Sequence, residues 1–144
     1  MKVDDILEVK GREVSTIPRD TTVRRVVERM RLQRIGALVV SSDGVRVEGL
    51  VTETDVIAAL ARSGAAALDL PAREVMTGAV RTCSPDDRVR DVMVEMTMHR
   101  VRHVPVVDHG RLCGIVSIGD VVKSVVDDAD LEIRVLRDAY LGHR

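Results

Sequence analysis

The alternation of apolar and polar residues is clearest over residues 100–126, RVRHVPVVDHGRLCGIVSIGDVVKSVV. Strands are predicted over 103–107 and 111–116, because both runs are rich in β-branched residues and a short polar turn separates them. A helix is predicted to begin at Ser117, where a hydroxyl residue stands three positions before the carboxylate of Asp120 and apolar residues follow at helical spacing. Both side chains are therefore expected where a strand ends and a helix begins, which is where open α/β sheets tend to bind ligands.

The same order of strand, turn, strand and helix occurs earlier in the chain, over residues 34–60. Thr52 and Asp55 correspond there to Ser117 and Asp120, which stand 65 positions further on. An amphipathic helix precedes each hairpin, and its apolar positions recur 66 positions apart as Val23, Val26, Val27 and Met30 and as Val89, Val92, Met93 and Met96. Two repeats are too few for a solenoid, so we expect two similar units that bury their apolar faces against each other.

Each unit is predicted to run β-α-β-β-α, which makes the fold class mixed α/β (α+β). A β-like segment over 80–83 starts the second unit, and an acidic run over 127–130 is expected to cap a separate final helix that ends at Leu141. The apolar residues of that helix, expected to face the same repeat or a partner chain, are Leu131, Val135 and Leu136. The chain is therefore divided into a first repeat with its N-terminal segment (1–64), a linker (65–74), a second repeat (75–126) and a C-terminal helix (127–144).

The overall composition, with 45% hydrophobic and 31% charged residues and a formal net charge of −1, is that of an ordinary globular protein. The chain has no Phe or Trp and a single Tyr, so its core must be aliphatic. The balanced charge and the scarcity of aromatic stacking side chains argue against nucleic-acid binding. No apolar run approaches membrane-spanning length, and acids stand where a signal peptide would need an apolar core, so a cytoplasmic protein is expected.

Few residues of the chain could carry chemistry. Cys83 and Cys113 lie in strand-like runs without a C-x-x-C spacing, so both are expected as buried free thiols. His99 and His103 have the i, i+4 spacing of a helical metal pair, but the helix is predicted to end near His99, so no metal site is expected. The sequence nominates no nucleophile–base pair and no G-x-x-x-x-G-K phosphate loop. We therefore expect neither catalysis nor a cofactor.

The repeated segments resemble the cystathionine-β-synthase (CBS) domain family, in the form of a small protein made of one tandem pair. The matching segments are residues 6–11 (ILEVKG), 75–77 (VMT), 49–55 (GLVTETD), 104–108 (VPVVD) and 114–120 (GIVSIGD). The resemblance covers almost the whole chain. It implies two repeats related by a pseudo-two-fold axis, with ligand sites in the clefts between them.

Proteins similar to this one bind adenine nucleotides (AMP, ADP or ATP), or sometimes S-adenosylmethionine or NADH. The resemblance implies that Asp120 accepts hydrogen bonds from the ribose hydroxyls and that Ser117 holds phosphate together with helix N–H groups. It also implies that the backbone around 101–104 reads the adenine edge and that Thr82 completes the wall. The candidate ligand-binding residues are therefore Thr82, Val101, Arg102, His103, Val104, Pro105, Ser117 and Asp120 in the second repeat, and Thr16, Ile35, Gly36, Ala37, Thr52 and Asp55 in the first.

Each hydroxyl-x-x-Asp segment can also be interpreted as a capping box, in which both side chains bond to the first N–H groups of the helix. The two interpretations are compatible, because an empty pocket can use its ligands as caps. The expected function is a regulatory module that senses a nucleotide, and the alternative is a ligand-independent dimerisation or protein-interaction module. The apolar stripes of the helices predict a homodimer, and the regulated partner is unknown.

The second site is expected to bind its ligand more tightly than the first. Many proteins similar to this one carry Arg directly before the Asp of the motif, where Thr54 and Gly119 stand here. The second repeat retains a proline, Pro105, at a position where the first repeat has Val39. The basic residues that could compensate for the missing Arg all lie in the second repeat, and they are Arg100, Arg102 and Lys123.

Overall fold

The computed structural model describes residues 1–142, and positions 143 and 144 of the predicted C-terminal segment lie outside the described residues. The first half of the chain forms α1 (Val3–Lys10), β1 (Thr16–Ile17), α2 (Val23–Gln33), β2 (Ala37–Val40), β3 (Gly49–Thr52), α3 (Glu53–Ser63) and a 3-10 helix (Gly64–Asp69). The second half forms α4 (Ala72–Val75), α5 (Val89–His99), β4 (His103–Asp108), β5 (Arg111–Ser117) and α6 (Ile118–Leu141). Within the described residues, no helix combines the length and apolar character needed to cross a membrane.

Each unit has its own small sheet. In the first unit β1 runs parallel to β2, and β2 runs antiparallel to β3; in the second, β4 and β5 form an antiparallel pair. The strand predicted over 80–83 is wrong, because only a single parallel bridge joins Cys83 to Val106. Pro85 follows two residues later, and a proline ends strand pairing because it has no N–H to donate. The corresponding β1 has only two residues and is likewise followed by a proline, Pro18.

The two units exchange the short helices that precede them in sequence. Val3 and Leu7 of α1 are buried in the core of the second unit, although α1 stands before the first. Ala67 and Ala72 are in turn buried in the core of the first unit. Residues 65–74, expected as a linker, thus form most of the 3-10 helix and the start of α4, because their small apolar side chains cover the first unit.

Two glycines at equivalent positions allow the exchanged segments to approach the sheets. A β-carbon on Gly114 in β5 would lie 2.7 Å from both δ-carbons of Leu7 in α1. A β-carbon on Gly49 in β3 would overlap the side chain of Met76, which directly follows α4. Glycine inside a strand often marks such a close approach. The two glycines therefore mark the strand positions over which the exchanged segments pack.

A third apolar cluster lies between the two sheets. Ala37, Val39 and Leu50 of the first unit are buried in it, and partly buried Leu112 and Ile115 of the second unit pack against them. Removing these aliphatic side chains from water favours the paired arrangement. The units therefore bury apolar faces against each other, as the repeat pattern predicts.

Helix α6 runs without a break over 24 residues, from Ile118 to Leu141. The prediction that residues 127–130 start a separate helix is wrong, because the helix contains no Pro and, after its second residue, no Gly to interrupt it. Its second half is exposed, and the relative exposures of Leu131, Val135 and Leu136 are 59, 58 and 70%. These side chains do not pack on their own repeat, so packing on a partner chain stays a prediction.

Candidate functional site

Ser117 and Asp120 form a capping box at the start of α6. The Ser117 hydroxyl accepts a hydrogen bond from the Asp120 N–H at 3.3 Å, and Asp120 Oδ2 accepts from the Ser117 N–H at 2.8 Å and from its hydroxyl at 3.0 Å. Thr52 and Asp55 form the same box at the start of α3, with corresponding distances of 3.3, 2.9 and 3.0 Å. The capping interpretation is therefore confirmed in both repeats. Each box also fixes a half-buried carboxylate at a helix N-terminus, where the helix dipole favours negative charge.

The Asp120 carboxylate has a further partner that sequence reasoning missed. Lys10, the last residue of α1, places its Nζ 2.7 Å from Asp120 Oδ2 and 2.9 Å from the carbonyl oxygen of Ile115. Burial raises the pKa of Asp120, but the hydrogen bonds from Lys10 and Ser117 outweigh burial, so the pKa lies below its usual value. Asp120 is therefore an ionised carboxylate that is already paired with a cation.

The carboxylate of Asp55 is approached differently. Among residues 1–142, its Oδ1 receives only a long hydrogen bond of 3.4 Å from the hydroxyl of Thr77, which follows α4. The main chain of Thr77 is bridged to β3, because its N–H donates to the Leu50 carbonyl at 2.9 Å and its own carbonyl accepts from the Leu50 N–H at 3.0 Å. The two repeats thus share the capping box but differ in the additional hydrogen-bond donor to the carboxylate, which is the Thr77 hydroxyl for Asp55 and the Lys10 amine for Asp120.

The segments expected to read the adenine meet at the junction of the two units. Gly36 stands before β2 and His103 begins β4, and a β-carbon on Gly36 would lie 3.2 Å from His103 Cε1. The pKa of His103 is lowered, first by burial and then by the positive charge of Lys10, while Glu53 and Asp120 act in the opposite direction. His103 therefore lies within electrostatic reach of charged groups from both units.

Strand register brings part of each candidate set together. Ala37 lies opposite Thr52 in the β2–β3 pair, and His103 lies opposite Ser117 in the β4–β5 pair. In both repeats, the segment expected to read the base is therefore the direct neighbour of the motif hydroxyl. Thr16 lies in β1, which β2 separates from the strand that carries Thr52.

Other residues assigned to the second site line a different cavity from Asp120. Thr82, Val101 and Val104 border a cavity of about 300 Å³. Its walls also carry the charged groups of Arg81, Asp87, Asp91 and Glu95. Asp120 instead borders a cavity of about 310 Å³ between α1 and α6, together with Lys10. Thr82 and Asp120, which sequence reasoning assigned to one site, therefore lie on the walls of two cavities.

Only one of the three basic residues named for the second site borders the Asp120 cavity. Lys123 lines it, as does Ser124, whose buried hydroxyl has no hydrogen-bond partner among the described residues. Arg102 is exposed in the segment before β4. Arg100 ends α5 in a left-handed conformation with φ 54°, and Arg34 ends α2 in the same way. Among the described residues, the cation that pairs with Asp120 is Lys10, from the far end of the sequence.

The cysteines do not form a reactive centre. Cys83 is buried and Cys113 is half-buried, and both are free thiols. Burial raises the pKa of Cys83 to about 12, and burial likewise raises the pKa of Cys113. A thiol with a raised pKa is a poor nucleophile, since the thiolate is the reactive form. Over residues 1–142, no group of three or more His, Cys, Asp or Glu side chains is arranged to hold a metal ion.

Comparison with known proteins identifies the class to which this fold and these repeated capping boxes belong. The family model of the CBS domain matches residues 3–62 and, a second time, residues 72–127. The chain belongs to the CBS domain family and contains a tandem pair of CBS domains. Its mixed α/β fold is that of solved CBS pairs.

Three solved structures illustrate the similarity. A CBS-domain protein from Agrobacterium tumefaciens is 42% identical, with a TM-score of 0.83 and coverage of 86% of this chain and 98% of its own. The CBS domain pair of protein MJ0100, in complex with 5′-methylthioadenosine and S-adenosyl-L-methionine, is 25% identical with a TM-score of 0.78, covering 89% and 98%. The CBS domain protein PAE2072 from Pyrobaculum aerophilum, complexed with AMP, is 28% identical with a TM-score of 0.73, covering 83% and 89%.

Proposed function

We propose that the protein is a regulatory module that binds an adenine nucleotide in the cleft between its two repeats and catalyses no reaction itself. The observation that carries the proposal is the pair of carboxylates, Asp55 and Asp120, each held by a capping box at a helix N-terminus. A fixed carboxylate can accept both hydroxyls of a ribose, and hydrogen bonds to an ionised acceptor are the strong ones. The ligands in the PAE2072 and MJ0100 structures are all adenosine derivatives, which supports this ligand class.

Each carboxylate retains acceptor capacity for a ligand. Asp120 Oδ1 accepts no hydrogen bond from the residues that the structure describes, and Asp55 Oδ1 receives only the 3.4 Å contact from Thr77. The first-turn N–H groups of α3 and α6, with the hydroxyls of Thr52 and Ser117, form a region that favours a phosphate. We therefore assign ribose binding to the carboxylates and phosphate binding to the helix openings.

We assign the adenine base to the backbone of residues 35–38 and 101–104. These segments meet at the unit junction, where Gly36 leaves room for His103. Backbone N–H and C=O groups there can pair with the edge of a base, as small-ligand sites commonly use a few fixed polar groups in an otherwise apolar lining. Thr16 would form an outer wall of the first site, whereas Thr82 lines the separate cavity that Asp120 does not border.

A ligand at this junction can regulate the protein only by binding one arrangement of the two units more tightly than another. The apolar cluster between the sheets connects the units by packing, and α1 lies in the core of the second unit although the chain continues from it into the first. A change in the relative packing of the units would therefore affect both. A complete switch, from 1:99 to 99:1, needs a roughly 10⁴-fold preference for one arrangement. The regulated partner would read that arrangement, and the module would supply no chemistry.

We propose that two copies of the chain associate through the outer faces of their helices. Exposed apolar side chains occur on α2, α3, α5 and α6, and they include Val27, Ile57, Leu60, Val94, Met98, Val122 and Val126. Contiguous apolar patches usually mark interaction sites. A second copy carries the same exposed side chains, so a two-fold symmetric pair could cover both sets at once.

Thermal melting and calorimetric titration with AMP, ADP, ATP, S-adenosylmethionine and NADH test the proposal, with GTP as the control for base recognition. Ligand at ~100 times its Kd adds ~2.7 kcal/mol to the free energy of unfolding. For a domain of this size that corresponds to roughly 5–10 °C in Tm. Should no adenine ligand raise the Tm or release heat, the ligand-independent interaction module becomes the better description.

A further inference from the structure

In each repeat, a strand carbonyl and the carboxylate of the capping box accept hydrogen bonds from a distant segment, and that segment differs between the two repeats. Leu50 and Ile115 stand 65 positions apart, at equivalent places in β3 and β5. In the first repeat, Thr77 supplies a main-chain N–H at 2.9 Å to the Leu50 carbonyl and a hydroxyl at 3.4 Å to the motif carboxylate. In the second, the side-chain amine of Lys10 meets both the Ile115 carbonyl, at 2.9 Å, and the motif carboxylate, at 2.7 Å. A neutral group in one repeat is thus replaced by a cation in the other.

This replacement changes what the second carboxylate can offer to a ligand. Asp120 Oδ2 already accepts three hydrogen bonds, one from Lys10 and two from Ser117. A carboxylate has about four lone-pair sites on two oxygens, so Oδ2 has no capacity left. The ammonium also neutralises the charge that makes hydrogen bonds to a carboxylate strong. Asp55, in contrast, forms no ion pair with any described residue, and its Oδ2 accepts only the two bonds of its capping box.

The position of Lys10 allows it to leave. It is the last residue of α1 and is followed by Gly11, which has a positive φ of 103°. Its side chain is 36% exposed, so the amine can turn into solvent while Val3 and Leu7 keep α1 in the core of the second unit. A half-exposed ion pair of this kind is weak enough for a ligand to displace.

We propose that Lys10 is an internal competitor for the second site, so that the first site binds the nucleotide more readily until Lys10 is displaced. This inference rests on the proposed ribose-binding role of the two carboxylates. The sequence predicted that the second site binds more tightly than the first, and this inference reverses that order. The prediction considered the basic residues of the second repeat and did not include Lys10. Occupation of the second site would release the end of α1 and so couple the ligand to the helix that the two units exchange.

The test isolates the second site with Asp55→Ala and then removes the amine with Lys10→Met, which keeps most of the apolar stem. Calorimetric titration with AMP should show binding about 2- to 5-fold tighter in the double variant than in Asp55→Ala alone. Arg12→Met in the same background is the matched control, because Arg12 pairs with Asp4 instead of the motif carboxylate and should leave AMP affinity unchanged. Lys10→Gln is a second variant that keeps a polar side chain of similar length and should also tighten binding.

Weaker or unchanged AMP binding after Lys10→Met would overturn the inference, since Lys10 would then be a ligand group or irrelevant. The inference would also be overturned if wild-type protein binds AMP but neither Asp55→Ala alone nor Asp55→Ala with Lys10→Met binds it. The carboxylate of Asp120 would then not bind the nucleotide at all. These results leave the proposed function intact, whereas wild-type protein that binds no adenine ligand would remove both. A carbon-13 NMR titration supplies a ligand-free readout: the pKa of Asp120 should rise in Lys10→Met and stay in place in Arg12→Met.

Discussion

The side chain of Leu7 lies directly over Gly114, so that a β-carbon on this glycine would come within 2.7 Å of both leucine δ-carbons. The contact joins the N-terminal helix to a strand more than a hundred positions later. Through this contact, α1 packs into the core of the second unit. The same helix carries Lys10 to Asp120, so the packing of Leu7 and the state of the second site are physically linked.

Replacing Gly114 with alanine should destabilise the protein by about 1–3 kcal/mol, because the added methyl group overpacks the contact with Leu7. That loss exceeds the roughly 0.4–1 kcal/mol gained by restricting the unfolded chain. Urea unfolding followed by circular dichroism measures the difference. Gly119→Ala is the matched control: its β-carbon would lie 3.6 Å from the nearest neighbour, Ser117 Oγ, and should leave stability unchanged or raise it. Equal stability of Gly114→Ala and wild type would contradict the tight packing of α1.

Asp55→Asn separates ligand binding from helix capping. Asp55 is the third helical residue of the capping box, and asparagine there keeps a side-chain oxygen that can accept from the Thr52 N–H, so the free energy of unfolding should fall only by the charge–dipole term of about 0.3–1 kcal/mol. Loss of the charged acceptor should nevertheless weaken AMP binding at the tighter site by roughly tenfold or more, since bonds to charged groups are worth ~1.5–3 kcal/mol. Calorimetric titration beside thermal melting gives both quantities. An unchanged affinity would reduce this motif to a cap.

The lowered pKa of Asp120 makes the Lys10 ion pair depend on pH. A carboxylate whose pKa is depressed in the folded protein stabilises it above the unfolded pKa of about 4, and that contribution is lost as pH falls through the folded value. Lys10→Met should therefore cost about 0.5–1 kcal/mol at pH 6 and less at pH 3. Chemical unfolding at the two pH values measures this. An equal cost at both would show that the amine does not stabilise the ionised carboxylate.

Truncation after Val126 should weaken self-association and leave each chain folded. The removed part of α6 carries apolar side chains that remain exposed, because the rest of the described chain does not cover them. Sedimentation velocity at tens of micromolar measures the oligomeric state, and circular dichroism checks the fold. Serine at Leu131, Val135 and Leu136 in the full chain should have the same effect, whereas serine at Glu132, Arg134 and Asp138 is the control. A truncated chain that dimerises like wild type would make this half of the helix an appendage.

The local sequence by itself determined the repeats, the hairpins and the capping boxes. Ser117 and Asp120 stand within one helical turn, so their contact needs only the helix that they begin. The runs of β-branched residues similarly predict strands because the preference acts on the strand itself. Local sequence patterns led to a wrong prediction where the same pattern is compatible with two structures. The acidic run over 127–130 is compatible with a helix start and also with an exposed helix interior, and α6 adopts the second.

Only the tertiary structure decided which unit each flanking helix covers. The apolar pattern of α1 requires that Leu7 be buried, but it does not say against which of two similar units. That choice depends on the fit of the side chain over Gly114, a contact between distant parts of the chain. The same choice places the amine of Lys10 on a carboxylate 110 positions away, whereas the first repeat meets Asp55 with Thr77. Two sites that look alike in sequence thus differ in charge, because packing across the molecule selects their neighbours.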